Sequence, residues 1–128
     1  MLVEECPCGS GEGYPRCCGR FHSGAAQAPT AEALMRSRYA AFALGDAAYL
    51  FRTWHPRTRP ADVEVDPGLR WTGLEVLDTV AGGPGDDVGE VAFRAHWRTA
   101  DGRDGVLDER SRFLRRGGRW LYLEGEHR

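Results

Sequence analysis

No lysine occurs anywhere in the chain: all 17 basic residues are arginines, set against 19 Asp and Glu for a formal net charge of -2. That balance exerts no general pull on nucleic acid or anionic lipid, so a nucleic-acid partner is not expected. No stretch approaches the roughly 18 consecutive apolar residues of a membrane span. The opening Met1-Leu2-Val3-Glu4-Glu5 lacks the basic start and apolar core of a secretory signal, which points to the cytoplasm. Also missing are a Ser-His-Asp order, a phosphate loop and a metal-hydrolase helix motif, so no reaction is visible in the residues themselves. Cysteine is absent from residue 19 onward. What remains is 41% hydrophobic and 28% charged over 128 residues, an ordinary soluble composition with room for one domain of about a hundred residues plus a small appendage.

The distinctive chemistry lies at the start. Four cysteines fall in Cys6-Pro7-Cys8-Gly9-Ser10-Gly11 and Cys17-Cys18. In a reducing compartment clustered thiols favour metal over disulfides. Two close pairs separated by a Gly-Ser-Gly turn suit one tetrahedral cation. Zinc is expected, with iron as the alternative because a tetrahedral sulfur site accepts either. Pro7 directs the sulfurs of Cys6 and Cys8 to one side, and Gly9 and Gly11 let backbone amides approach them. Ser10 can add its hydroxyl, and Arg16 and Arg20 can offset the negative charge of four thiolates. Adjacent Cys17 and Cys18 must diverge, which predicts a helical turn there. His22 could replace Cys18 as the fourth ligand. Either set closes the site to water and makes it structural, and a segment too short for its own core depends on the metal to fold.

Residues 1–22 therefore form a metal knuckle and residues 23–29, rich in small side chains, a linker to a domain over 30–128. Thr30 is a good N-cap, and Leu34, Met35, Tyr39 and Phe42 recur at helical spacing, predicting a helix over 31–44. Gly45 ends it and Asp46 caps a second helix running to His55-Pro56. Beyond an irregular stretch the period changes to two. Strands are predicted over 69–80, around Val91, Phe93, Ala95 and Trp97, over 106–116 and over 119–124, with a bulge at Gly73 and a hairpin at Gly117-Gly118. Two helices followed by a four-stranded antiparallel meander make an α+β domain in which a curved sheet wraps the first helix.

The segment Cys6-Pro7-Cys8-Gly9-Ser10-Gly11-Glu12-Gly13-Tyr14-Pro15-Arg16-Cys17-Cys18-Gly19 resembles the SEC-C motif of the bacterial secretion motor SecA. The resemblance assigns Cys6, Cys8, Cys17 and Cys18 as ligands. Phe21-His22, Leu34-Met35-Arg36-Ser37-Arg38-Tyr39, Thr53-Trp54-His55-Pro56, Glu109-Arg110-Ser111-Arg112-Phe113 and Gly118-Arg119-Trp120 resemble the YchJ-like family. That family joins a SEC-C motif to a domain similar to nuclear transport factor 2, a cystatin-like cone of curved sheet and helices. Some members carry a second SEC-C motif at the C-terminus; none is expected here, since the residues up to His127-Arg128 hold no further cysteine. In the secretion motor the motif contacts the export chaperone SecB, and the ribosome is a further candidate, so the resemblance implies a protein partner from that pathway. Tyr14 and the arginines of the knuckle are expected on the contact surface.

Folds of this kind place acid, base and aromatic residues at the wide end of the cone. The candidates here are Tyr39 and Trp54 with Ser111 for a binding pocket, and His55 and Glu109 for proton transfer. Leu107, Glu109, Ser111 and Phe113 share one strand face, so an inward Phe113 brings Glu109 and Ser111 with it. An inward carboxylate needs a partner, for which Arg38 or His55 is available. An enzyme of ketosteroid-isomerase or dehydratase type is thus the alternative to an accessory protein, provided His55 and Glu109 line one cavity. The four tryptophans are expected in the core, and Arg110, Arg112, Arg115 and Arg116 on a solvated strand face.

Overall fold

Local capping chemistry sets the helices. The structure, a computed structural model, describes residues 4–127; Met1, Leu2, Val3 and Arg128, the outer ends of the expected knuckle and cone, lie outside the described residues. A single 3-10 turn at Tyr14–Arg16 leads into α1 (Cys18–His22), followed by α2 (Ala31–Leu44) and α3 (Ala47–Arg52). Thr30 Oγ1 accepts the Ala33 amide at 3.0 Å to open α2, and Gly45 closes it in the left-handed conformation at φ 76°. Asp46 Oδ1 accepts the Tyr49 amide at 3.1 Å to open α3.

The second helix stops at Arg52, short of the expected His55-Pro56 boundary. Tertiary pairing overrides the local pattern: the Tyr122 amide donates to Thr53 O at 2.8 Å and the His55 amide donates to Tyr122 O at 2.7 Å, so the chain leaves the helix to run beside a strand.

The strands are β1 (Leu69–Ala81), β2 (Val88–Thr99), β3 (Asp104–Arg116) and β4 (Arg119–His127), in an antiparallel sheet of order β1-β2-β3-β4. The expected irregularity between Trp71 and Gly73 is present. Two others, between Val76 and Asp78 and between Arg112 and Phe113, carry no phase change that could have announced them. Bulges raise local twist and bend the sheet around α2. Val91, Phe93, Ala95, Phe113 and Trp120 from the concave face bury against Leu34, Met35 and Tyr39 of α2. The N-terminus of α2 seats on the closed end of β1 and β2, where the Ala31 amide donates to Gly82 O at 2.9 Å. That contact requires Gly89, since a Cβ there would stand 2.6 Å from the Gly82 Cα and 2.9 Å from the Ala31 Cβ.

On the convex face Arg110 pairs with Asp78 at 3.0 Å and Arg112 with Glu124 at 3.3 Å across strands, whereas Arg115 lies on the Phe113 face beside Trp120 and pairs with Asp87 of the β1 to β2 turn at 3.5 Å, a correction to its expected place. These are exposed pairs worth little individually. Trp120 is buried in the core and Trp71 packs against it while lining a cavity; Trp54 lines the same cavity outside the core cluster and Trp97 is half-buried outside both, a correction to the expected place of those two. Among the described residues no helix is long and apolar enough to cross a membrane.

Candidate metal centre and cone cavity

Four ligands at about 2.3 Å from a common tetrahedral ion stand about 3.8 Å apart. Here Cys8 Sγ lies 3.6 Å from Cys17 Sγ, Cys17 Sγ lies 4.0 Å from Cys18 Sγ, and the four Sγ atoms all fall within 4.8 Å of one another. Every one of these thiols is free; disulfide bonding would need about 2.05 Å. Cys6, Cys8 and Cys18 are buried and Cys17 half-buried. The donor set and spacing fit a closed four-thiolate metal centre.

The turns that shape it follow from composition. Gly9 and Gly11 adopt φ of 81° and 85°, which lets the chain double back so that the Cys6 amide donates to Glu12 O at 2.8 Å. α1 begins at Cys18, so the last pair diverges as expected. Ser10 Oγ lies 3.2 Å from Cys17 Sγ. The amides that favour thiolate belong to Cys8 and Cys18 around Cys6, and to Ser10 at Cys8. Four crowded thiols cannot all ionise without a cation. The Cys18 thiol donating to Cys8 holds Cys8 down to about 4, burial pushes Cys6 up to about 11, and Cys18 is raised by that same bond and by burial.

His22 is not a member of the cluster. Its Nδ1 is 2.6 Å from the Tyr14 hydroxyl and its Nε2 is 2.8 Å from Ser37 O, so Nε2–H donates to the carbonyl and Nδ1 accepts from Tyr14. Both nitrogens being engaged, the ring fastens the knuckle to α2. Tyr14 is accordingly half-buried with its hydroxyl committed to His22. Arg36, unnoticed in the sequence as a support for the site, donates from Nη1 to Cys8 O at 3.0 Å. Arg20 Nε donates to Cys17 O at 3.2 Å, and Ala40 of α2 packs against Cys6, Cys8 and Cys18. Residues 23–29 do not hold the knuckle at a distance; it lies directly on the cone.

A second candidate site opens within the cone, a cavity of about 210 Å³. Tyr39, Trp54, Glu109 and Ser111 line it; His55 does not. Phe113 points into the core, and Glu109 and Ser111 on the same face of β3 are buried with it. The partner of Glu109 is neither Arg38 nor His55: Ser111 Oγ donates to Oε2 at 2.5 Å and His127 Nε2 stands 3.0 Å from Oε1. His55 is held on the far side of the α3 to β4 contact, its Nδ1 accepting the Arg57 amide at 3.0 Å. Desolvation, then Arg57 and Arg116, push its pKa below the usual 6.5. Arg38 also lines the cavity, and its guanidinium carbon lies 4.5 Å from the Tyr122 ring and 5.2 Å from the Trp54 ring. Desolvation lowers Arg38 to about 10 and raises Tyr122 to about 12.

A cysteine knuckle seated on an open antiparallel cone defines a two-part protein, a SEC-C-type cysteine segment joined to a domain of the nuclear transport factor 2 type. The family model described as the middle NTF2-like domain of YchJ matches residues 30–125, and the chain belongs to this family of YchJ-like, UPF0225 proteins. It is 62% identical over 126 residues to a UPF0225 protein of Streptomyces coelicolor, covering 98% of each chain. It is 50% identical over 119 residues to one of Deinococcus radiodurans, covering 93% of this chain and 86% of the other. The solution structure of a SEC-C motif containing protein from Rhodopseudomonas palustris is similar with a TM-score of 0.83 at 38% identity, covering 94% of this chain and 96% of that one. A crystal structure of a SEC-C motif containing protein from Psychrobacter arcticus gives a TM-score of 0.76 at 27% identity, covering 93% and 80%.

Proposed function

We infer that this is a cytoplasmic zinc protein in which the metal knuckle is the docking element for a protein partner and the cone is its rigid base. The observation that carries the reading is the convergence of four sulfurs within 4.8 Å on a segment fixed to α2. Four thiolates prefer a soft tetrahedral ion, and a closed site that keeps no water is the usual form of structural zinc. A site with no open coordination position supplies shape, not hydrolysis. The tip at residues 9–12 and the side chains of Pro15, Arg16 and Arg20 are exposed on the same knuckle, offering backbone groups and cationic side chains to a partner. Resemblance to the SEC-C motif of the secretion motor makes the export chaperone SecB and the ribosome the first partners to try. The enzyme reading loses its acid–base pair, since His55 stands outside the cavity that Glu109 lines.

The experiment compares full-length wild type and Cys8→Ser for bound zinc, for binding to purified SecB, and for cosedimentation with ribosomes. Wild type should carry one zinc and bind one of the two partners, and Cys8→Ser should lose both properties while the near-ultraviolet dichroism of the cone persists. Full-strength capture by Cys8→Ser, or no capture of either partner by zinc-loaded wild type, contradicts the docking role.

A further inference from the structure

The cone cavity holds an unbalanced set of polar groups. Arg38 is only 6% exposed, yet among the described residues no carboxylate oxygen comes within 4.0 Å of it. Its Nη1 donates to Leu50 O at 2.9 Å and to Thr53 Oγ1 at 2.7 Å, whereas its Nε and Nη2 have no hydrogen-bond partner among those residues. Beside it the Trp54 indole nitrogen is buried without an acceptor, the one such side-chain atom among the described residues. A buried cation answered by Glu109 only across the cavity, with no carboxylate in contact, and a buried donor without an acceptor are both costly, and native proteins seldom retain either without a ligand or water to answer them. Ring faces of Trp54 and Tyr122 offset part of the charge of Arg38 but accept no N–H bond in the guanidinium plane.

The acceptors on the wall do not meet this need. Glu109 is already engaged by Ser111 and His127. The rest of the lining is apolar and aromatic, with Phe42, Trp71 and Phe93 facing the space. A cavity of about 150 Å³ takes one benzene ring, so about 210 Å³ takes one ring and a small substituent.

We propose that the cone binds a small planar organic anion, a single ring bearing one carboxylate, with the carboxylate on Arg38 and the Trp54 indole N–H and the ring among the aromatic side chains. The guanidinium uses its two free donors and the indole supplies a third, while the apolar wall gives affinity without direction. Trp54 is the specificity residue in this arrangement, because its N–H distinguishes an acceptor group from an apolar one of equal size.

The test titrates the full chain with benzoate, phenylacetate, benzyl alcohol and benzylamine, following the indole N–H signals by NMR. Benzoate or phenylacetate should shift the Trp54 indole signal and leave that of Trp120, which donates to Pro29 O, in place. The better acid should bind at least tenfold more tightly than benzyl alcohol, with benzylamine weaker still. Trp54→Phe keeps the ring wall and should bind the acid several-fold more weakly. Arg38→Gln, if it folds, should abolish the preference for the acid. Equal affinity for acid and alcohol, tighter binding of benzylamine through Glu109, or no shift of Trp54 with either acid overturns the proposal. None of these outcomes depends on the metal or on a protein partner.

Discussion

His22 shows how one ring can fasten two parts of a small protein. Its nitrogens are spent on Tyr14 and on the carbonyl of Ser37, and its face lies 4.5 Å from the ring of Tyr49, whose hydroxyl in turn meets Ser37 Oγ at 2.7 Å. Replacing the ring leaves the Tyr14 hydroxyl and a carbonyl of α2 unanswered. His22→Ala should therefore cost about 1–3 kcal/mol in urea unfolding and leave the bound metal at its wild-type stoichiometry. A fall in metal content matching the fall in stability would make His22 a ligand after all. Sequence spacing could not decide this, because a histidine four residues past a cysteine suits both roles and its partners come from another helix and from a turn. Arg38 was similarly half visible: its proximity to the cone interior could be suspected, but not that its bonds would go to the end of α3 and leave donors facing the cavity.

At the scale of elements, what could be read locally came out close to its observed limits. α2 spans Ala31–Leu44 because a threonine cap, an apolar helical repeat and a terminal glycine all act within a few residues of the chain. The Gly73 bulge was legible because the apolar phase shifts across it. The end of α3 was not, because β4 competes for the backbone of Thr53 and His55 from about seventy positions away. The bulges after Val76 and at Arg112 were hidden for the same reason, since register there is set by partners and not by pattern. One close approach gives a direct test of how α2 is seated. Gly89→Ala places a Cβ against Gly82 and Ala31 and should destabilise by about 1–3 kcal/mol through overpacking. Gly85→Ala, in the turn before β2 with nothing within 4 Å, should be close to neutral. Equal urea midpoints for the two variants would show that α2 does not depend on that contact.

For the molecule as a whole, the knuckle and the cone are two clusters joined at a narrow seam. Phe21 of α1 inserts into the main core, while Ala40 of α2 closes over the cysteines. The cone buries an extensive apolar interior of its own, but the knuckle has only its sulfurs and a few side chains, so a cation bound to those sulfurs would supply much of its order. Burial raises the Cys6 thiol, the bond from Cys18 lowers Cys8 and raises Cys18, and a cation bound between the sulfurs would replace their mutual repulsion with attraction.

X-ray absorption at the metal edge of the natively purified protein tests this most directly. It should find one zinc per chain with four sulfur neighbours at about 2.3 Å and no nitrogen in the shell. A shell of three sulfurs and one nitrogen, or protein that is fully folded through residues 4–22 with no metal, would contradict the account.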